Sequence, residues 1–372
     1  MAEGKKKKGQ FKKIIPIVIF AVIGAVLGYF AMALTDGNLG IILLAVVSLP
    51  VSLYMHIVIH ESGHLVMGLF SGYRFVSFRI GNTIWVKQSR RIVRKKYHLE
   101  GTGGQCLLDP PERAEDGTFP CLMYNLGGGL FNLLFSSAAI LLTLPGWVGS
   151  GAVSRAMLIP FAFVGIYLAL TNLIPLKVDG LANDGYNIKS FRKNRDSARA
   201  FWTQMRMNKM QHTDGLRLCQ IPQEFFVFPQ GEISDPLIDG VRVFWFGRLL
   251  DQQRFAEASV FGRELCTLPG LLAIHKKQVE KELLFIELLG ARRPEEIERL
   301  YDKGLEKKLK SGGGYPSTYR MLYTYAKLYT GDKVMEEAAL AAFEKAIKTY
   351  PAPGEILTER ELMEIVMKEE RP

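Results

Sequence analysis

Two histidines four residues apart, His60 and His64, stand one above the other on any helix that carries them, and Glu61 lies between them. Imidazoles at this spacing can ligate one zinc ion. A carboxylate in the HExxH position reaches the water that such an ion activates, so the segment His60-Glu61-Ser62-Gly63-His64 reads as two ligands and a general base for metal-assisted hydrolysis. The bland reading is a pair of satisfied core histidines. It is weakened by Glu61, which would then be an unpaired charge in strongly apolar surroundings.

A catalytic zinc needs a third protein ligand and an open position. His56 repeats the four-residue step, but a third imidazole on one straight helix does not converge on the same tetrahedral ion; it reads as a polar neighbour rather than a ligand. Downstream, Asn172-Leu173-Ile174-Pro175 closes an apolar run, and Pro175 should stop its helix. Two Asp-Gly pairs follow, Asp179-Gly180 and Asp184-Gly185. Either is also a common turn dipeptide.

The elements that must hold these residues are membrane-like. Apolar runs cover about 14–34, 41–70, 120–145 and 156–175, each long enough for a hydrocarbon core of about 30 Å, and the second carries the HESGH. Lysines crowd residues 5–13. Nine more basic residues lie between the second and third runs, from Arg74 to Arg113, and the opposite loops, 35–40 and 146–153, have none. Lys and Arg accumulate on the cytoplasmic side, so the expectation is four spans with both termini cytoplasmic. The first run is too long for a typical signal peptide and lacks a clear cleavage site, so it reads as a retained anchor. The net charge of +10 is explained by topology and anionic lipid, with no nucleic-acid-binding signature beside it.

Together, HESGH, the N-x-x-P of residues 172–175 and a following Asp-Gly resemble the site-2 protease family of intramembrane zinc metalloproteases. The resemblance covers roughly residues 45–195. It implies Zn²⁺ held by His60, His64 and an aspartate, with Glu61 as catalytic base. Asp184 is favoured because Asp184-Gly185-Tyr186-Asn187-Ile188 is similar to the family's ligand segment; the spacing departs from the family's, and Asp179 is the alternative. Gly128-Gly129-Leu130-Phe131-Asn132 is similar to the family's glycine-rich segment ending in Asn. Its glycines would allow close helix approach. Asn132 and Asn172 are the expected substrate-binding residues. The implied activity is hydrolysis of transmembrane or signal-peptide-like substrates near the cytoplasmic face of a bacterial plasma membrane.

Between the second and third spans, residues 73–99 alternate apolar and polar around Gly81-Asn82 and read as a β-hairpin within a cytoplasmic insertion, 73–118. Residues 101–106 read as a flexible loop, a lid or a plain connector. The four cysteines are scattered without a CxxC pair and read as structural thiols; Cys106 alone is a weak candidate for metal or redox contact.

From about 196 to 372 the chain is charged and helix-forming, with helical spacing near 244–266, 271–289, 294–310, 318–330, 334–350 and 357–370. Tyr325 to Gly331 and Phe343 to Pro351 look like a tetratricopeptide-type unit, suited to a cytoplasmic protein regulator, though a plain helical bundle fits too. The expected fold is thus a membrane all-α core of four transmembrane helices (14–195) with a small β-hairpin insertion, a basic tail (1–13) and a soluble α-helical C-terminal domain. Two rival functions remain: an inactive membrane adaptor, which has no need of Glu61, and a metal transporter, which should spread its ligands along a path.

Overall fold

The computed structural model describes residues 38–99, 102–178, 181–229, 235–301, 306 and 314–370. The basic tail, the apolar run 14–34 and Asp179 lie outside the described residues. The three later apolar runs each form one helix: α1 (Leu39–Phe70), α2 (Cys121–Leu142) and α3 (Ala152–Leu173). All three are long and apolar enough to cross a membrane. Leu43, Val47, Val51 and Tyr54 of α1 are exposed, as expected of a helix that is apolar all round and faces lipid. Helix α3 ends at Leu173, two residues before Pro175, which cannot continue the ladder.

The chain divides into two compact units. One comprises the chain up to Ile59 with Gly129–Leu170; the other comprises His60–Gly128 with Thr171–Pro372. In the first, Ser48 Oγ donates to the Ala156 carbonyl at 3.3 Å and ties α1 to α3.

The second unit contains more sheet than a hairpin. Strands β1 (Arg74–Ile80), β2 (Thr83–Gln88), β3 (Arg91–Lys96) and β4 (Gly104–Asp109) form one antiparallel sheet in the order β3-β2-β1-β4. Gly81, at φ +53°, makes the β1–β2 turn. Residues 104–109 are thus an edge strand paired along β1 from Ile80↔Gly104 to Arg74↔Asp109, so the loop expected over 101–106 gives way to strand from Gly104 onward. Pairing with an existing strand overrides the low intrinsic strand preference of Gly103-Gly104.

After α3, the short hairpin β5 (Lys177–Val178) and β6 (Leu181–Ala182) leads into α4 (Asp184–Lys193) and α5 (Arg195–His212). The helices that follow among the described residues include α6 (Pro236–Asp251), α7 (Phe255–Thr267), α8 (Ala273–Leu289), α9 (Pro294–Leu300), α10 (Pro316–Tyr325), α11 (Lys333–Thr349) and α12 (Pro353–Lys368). A π turn, Ala326–Thr330, extends α10. Helices α6–α7, α8–α9 and α10–α11 pack as successive hairpins, and α12 lies against α10. Their shared core includes Phe246, Phe285, Leu288, Met321, Phe343 and Val366, each worth roughly 1.5–3 kcal/mol of burial. The expected single helix over 244–266 is two helices, broken at Gln252–Arg254 with Gln253 at φ +57°.

The helical domain is fastened to the sheet. Lys95 Nζ donates to the Tyr350 carbonyl at 2.8 Å, and Trp202 Nε1 donates to the Pro111 carbonyl at 2.8 Å. Arg206 of α5 pairs with Asp109 at 3.0 Å and also with Glu112.

Candidate metal centre

Three side chains from two distant stretches converge. His60 Nε2 and His64 Nε2 lie 3.1 Å apart, and each lies 3.4 Å from Asp184 Oδ2. Bonds of about 2.0–2.1 Å to a tetrahedral zinc give ligand-to-ligand edges of about 3.3 Å, so the three atoms have the spacing of one tetrahedral face. Asp184 Oδ2 is buried without a hydrogen-bond partner, which is costly unless a cation is bound there. Donor set, spacing and this orphaned oxygen all fit a divalent metal.

Local structure fixes each donor. His64 Nδ1 donates to the Tyr124 carbonyl of α2 at 2.7 Å, which sets the ring's orientation and leaves Nε2 as the lone-pair nitrogen of the neutral imidazole. The His60 ring lies on the backbone of Gly128, where a Cβ would meet it. Beside it, a Cβ on Gly63 would run into the Gly127 carbonyl, and one on Gly127 into the Gly63 carbonyl. The glycine-rich run thus brings α1 and α2 into backbone contact.

Asp184 opens α4, and Asn183 caps that helix by accepting from the Tyr186 amide at 2.8 Å. The same Asn183 amide donates to the Thr171 and Ile174 carbonyls, both at 2.6 Å, which pins the start of α4 to the end of α3. Gly185 is required there because a Cβ would enter the Leu173 carbonyl.

Glu61 packs on the edge strand. A Cβ on Gly104 would stand 2.5 Å from Glu61 Cγ and 2.7 Å from Oε1, so only glycine lets the carboxylate side chain lie there. The Gly104 backbone is held by Arg79 of β1, which is 1% exposed. Arg79 donates to the carbonyls of Gly81 at 2.7 Å, Gly104 at 3.1 Å and Thr102 at 3.3 Å, and also to the Thr102 hydroxyl.

Of the expected residues, His60, Glu61, His64 and Asp184 come together. Asn132 is fully buried in the other unit with its amide 3.1 Å from His56 Nδ1. His56 Nε2 donates to the Phe161 carbonyl at 2.9 Å, so both ring nitrogens are engaged, as suits a polar neighbour rather than a ligand. Asn172 lies in the last turn of α3, its carbonyl against Gly185. Cys106 is buried, and burial, with Glu61 nearby, pushes its thiol pKa up, which suits a structural thiol.

Sequence reasoning missed Arg79, which looks like one more topological charge, and also Gly104, Asn183 and the Tyr124 carbonyl. The alternation of β1 was a usable signal for Arg79. Comparison of the chain with protein-family models, with curated proteins and with solved structures finds no match.

Proposed function

We propose that this chain is a zinc-dependent endopeptidase of the site-2 protease type, hydrolysing transmembrane or signal-peptide-like segments near the cytoplasmic membrane face. The convergence of His60, His64 and Asp184 beside Glu61 is the observation that carries this reading. His60, His64 and Asp184 would hold the zinc ion, which when bound would supply Lewis-acid polarisation of the scissile carbonyl. Glu61 takes the proton of the attacking water on a carboxylate oxygen and passes it to the leaving amine.

Edge strand β4 supports the same reading, since an extended peptide added there runs past Glu61 at Gly104. Asn132 and Asn172 are the residues proposed for substrate contact, Asn132 with its amide oxygen 3.1 Å from His56 Nδ1. The basic residues of the N-terminal tail and of the 73–118 insertion argue for cytoplasmic termini, and a bacterial plasma membrane is the location proposed with this activity. The stacked hairpins of the helical domain suit a tetratricopeptide-like module for a cytoplasmic regulator.

The test compares wild type with Glu61→Gln on tethered transmembrane peptides, with zinc content measured in parallel. Cleavage by wild type alone, at equal zinc content, is the expected result. Cleavage that survives Glu61→Gln overturns the mechanism; no cleavage by wild type favours the adaptor.

A further inference from the structure

The two faces of the four-stranded sheet have different neighbours. On one, Gln88 and Lys95 donate to the Pro351 and Tyr350 carbonyls of the helical domain at 3.3 Å and 2.8 Å. On the other, Gly104 and Leu108 of β4 lie against Glu61 and Gly68 of α1. The pairing register sets Cys106, Phe78, Trp85 and Arg94 in one row across this second face. Its inner half is covered, since Cys106 and Phe78 share a cluster with Leu65 of α1. Its outer half is open. Trp85 is 37% and Ile92 62% exposed, and the strand alternation brings Lys87, Arg94 and Lys96 onto the same face around them. No acidic residue occurs in β1, β2 or β3.

Helix length sets the depth of this face in a bilayer. Helix α1 has 32 residues and is thus about 48 Å long, against about 30 Å of hydrocarbon. Counted from Asn38, whose side chain accepts from the Gly40 amide at 3.0 Å, about 20 residues fill the core, and the stretch beyond about residue 59 runs through the opposite headgroup layer. Leu65 and Gly68 fall in that stretch, and Phe70 at its end is 86% exposed. The open half of the sheet face therefore stands at headgroup depth, on the side of the sheet that α1 occupies.

We propose that this open face of β2 and β3 docks on the anionic phospholipids of the bilayer that α1 crosses, with Trp85 and Ile92 against the upper acyl chains and Lys87, Arg94 and Lys96 on the lipid phosphates. The residue types match that layer. An indole ring settles between apolar chains and polar headgroups, and basic side chains lay their stems along apolar surface while their charged ends reach outward. The Arg94 guanidinium suits a phosphate in particular, since its planar fork gives two parallel charge-assisted bonds. A second copy of the chain is a poor occupant, because two such faces brought together repel. A sheet docked in this way is held from both sides, by the helical domain on one face and by lipid on the other, and β4 at its far edge is steadied beside α1. The surface stands apart from the metal ligands, and its test needs no proteolysis.

Full-length protein is placed in phosphatidylcholine nanodiscs holding a small fixed fraction of a phospholipid brominated high on its acyl chains, either phosphatidylglycerol or phosphatidylcholine. Bromine quenches tryptophan on contact, and the difference between wild type and Trp85→Phe isolates Trp85 from Trp147, Trp202 and Trp245. The Trp85 share should be quenched by both lipids, and at least about twofold more by the brominated phosphatidylglycerol. That preference should vanish in 1 M salt, where the screening length is about 3 Å, and in the triple variant Lys87→Gln, Arg94→Gln, Lys96→Gln. Hydrogen exchange of the β3 amides in wild type reads the same contact without a variant, and it should slow when phosphatidylglycerol is added to the disc. A Trp85 share that neither lipid quenches, as under a protein partner or a second copy, overturns the proposal. Equal quenching by the two headgroups, or β3 exchange indifferent to phosphatidylglycerol, overturns it as well.

Discussion

The Glu61 side chain lies directly on the backbone of Gly104, so the group proposed as the base is positioned by the first residue of a sheet strand. Gly104→Ala should therefore displace the carboxylate while leaving His60, His64 and Asp184 in place. The expected outcome is a fall of at least about tenfold in kcat with zinc content unchanged. Peptide cleavage and metal analysis on the same preparation check it, and loss of zinc would contradict this division of labour.

Asp184→Asn should lower zinc occupancy severalfold, and Asp179→Asn should not. Removing the Asn183 cap tests the same placement indirectly. Asn183→Ala frees the start of α4 from the Thr171 and Ile174 carbonyls, at a cost of about 0.5–2 kcal/mol for the cap alone. Metal analysis should show weaker zinc retention, and thermal unfolding a lower midpoint.

Arg79→Met removes a buried guanidinium that serves three carbonyls. Each carbonyl left without a donor costs roughly 1–3 kcal/mol, and residues 102–104 lose their anchor. The expected signature is faster proteolytic nicking near residue 102 together with reduced cleavage activity. Unchanged nicking would mean that strand pairing alone holds the segment.

Glu355 gives the helical domain a pH dependence of definite sign. Its folded pKa, about 7, lies above the ordinary carboxylate value, so the folded state holds the proton more tightly. Stability from this group is fully present below the unfolded value and is lost as pH rises from about 4.5 to 7. The groups facing it are Glu359, Glu282, Lys281 and Tyr350. Unfolding midpoints of wild type should fall across this window, on the order of 1–3 kcal/mol in stability, and Glu355→Gln should flatten the slope.

The chemistry-bearing residues on α1 were legible because HExxH is a local pattern and hydropathy marks the spans directly. Asp184 was legible only as one of two candidates, since what distinguishes it is the Asn183 cap and the fit of Gly185 against Leu173, both contacts made in three dimensions. Gly104-Gln105-Cys106 reads as the end of a loop in isolation and becomes strand through pairing with β1. Gln253 hides a helix break because it takes a left-handed conformation usually left to glycine. Asn132 is read from its place after the glycines, while the 3.1 Å approach of its amide oxygen to His56 Nδ1 is a contact made only in three dimensions.

The contact between Gly63 and Gly127 has a mechanical consequence. With no side chain between the two backbones, the joint between α1 and α2 has no compressible layer, and separating it would also take the Tyr124 carbonyl from His64. A cleft wide enough for a polypeptide cannot be made by parting this pair without dismantling the ligand geometry. Under the proposed function, peptide entry and exit are expected through movement of the sheet around Gly104 or of the turn between α3 and α4, with the Gly63–Gly127 contact held fixed.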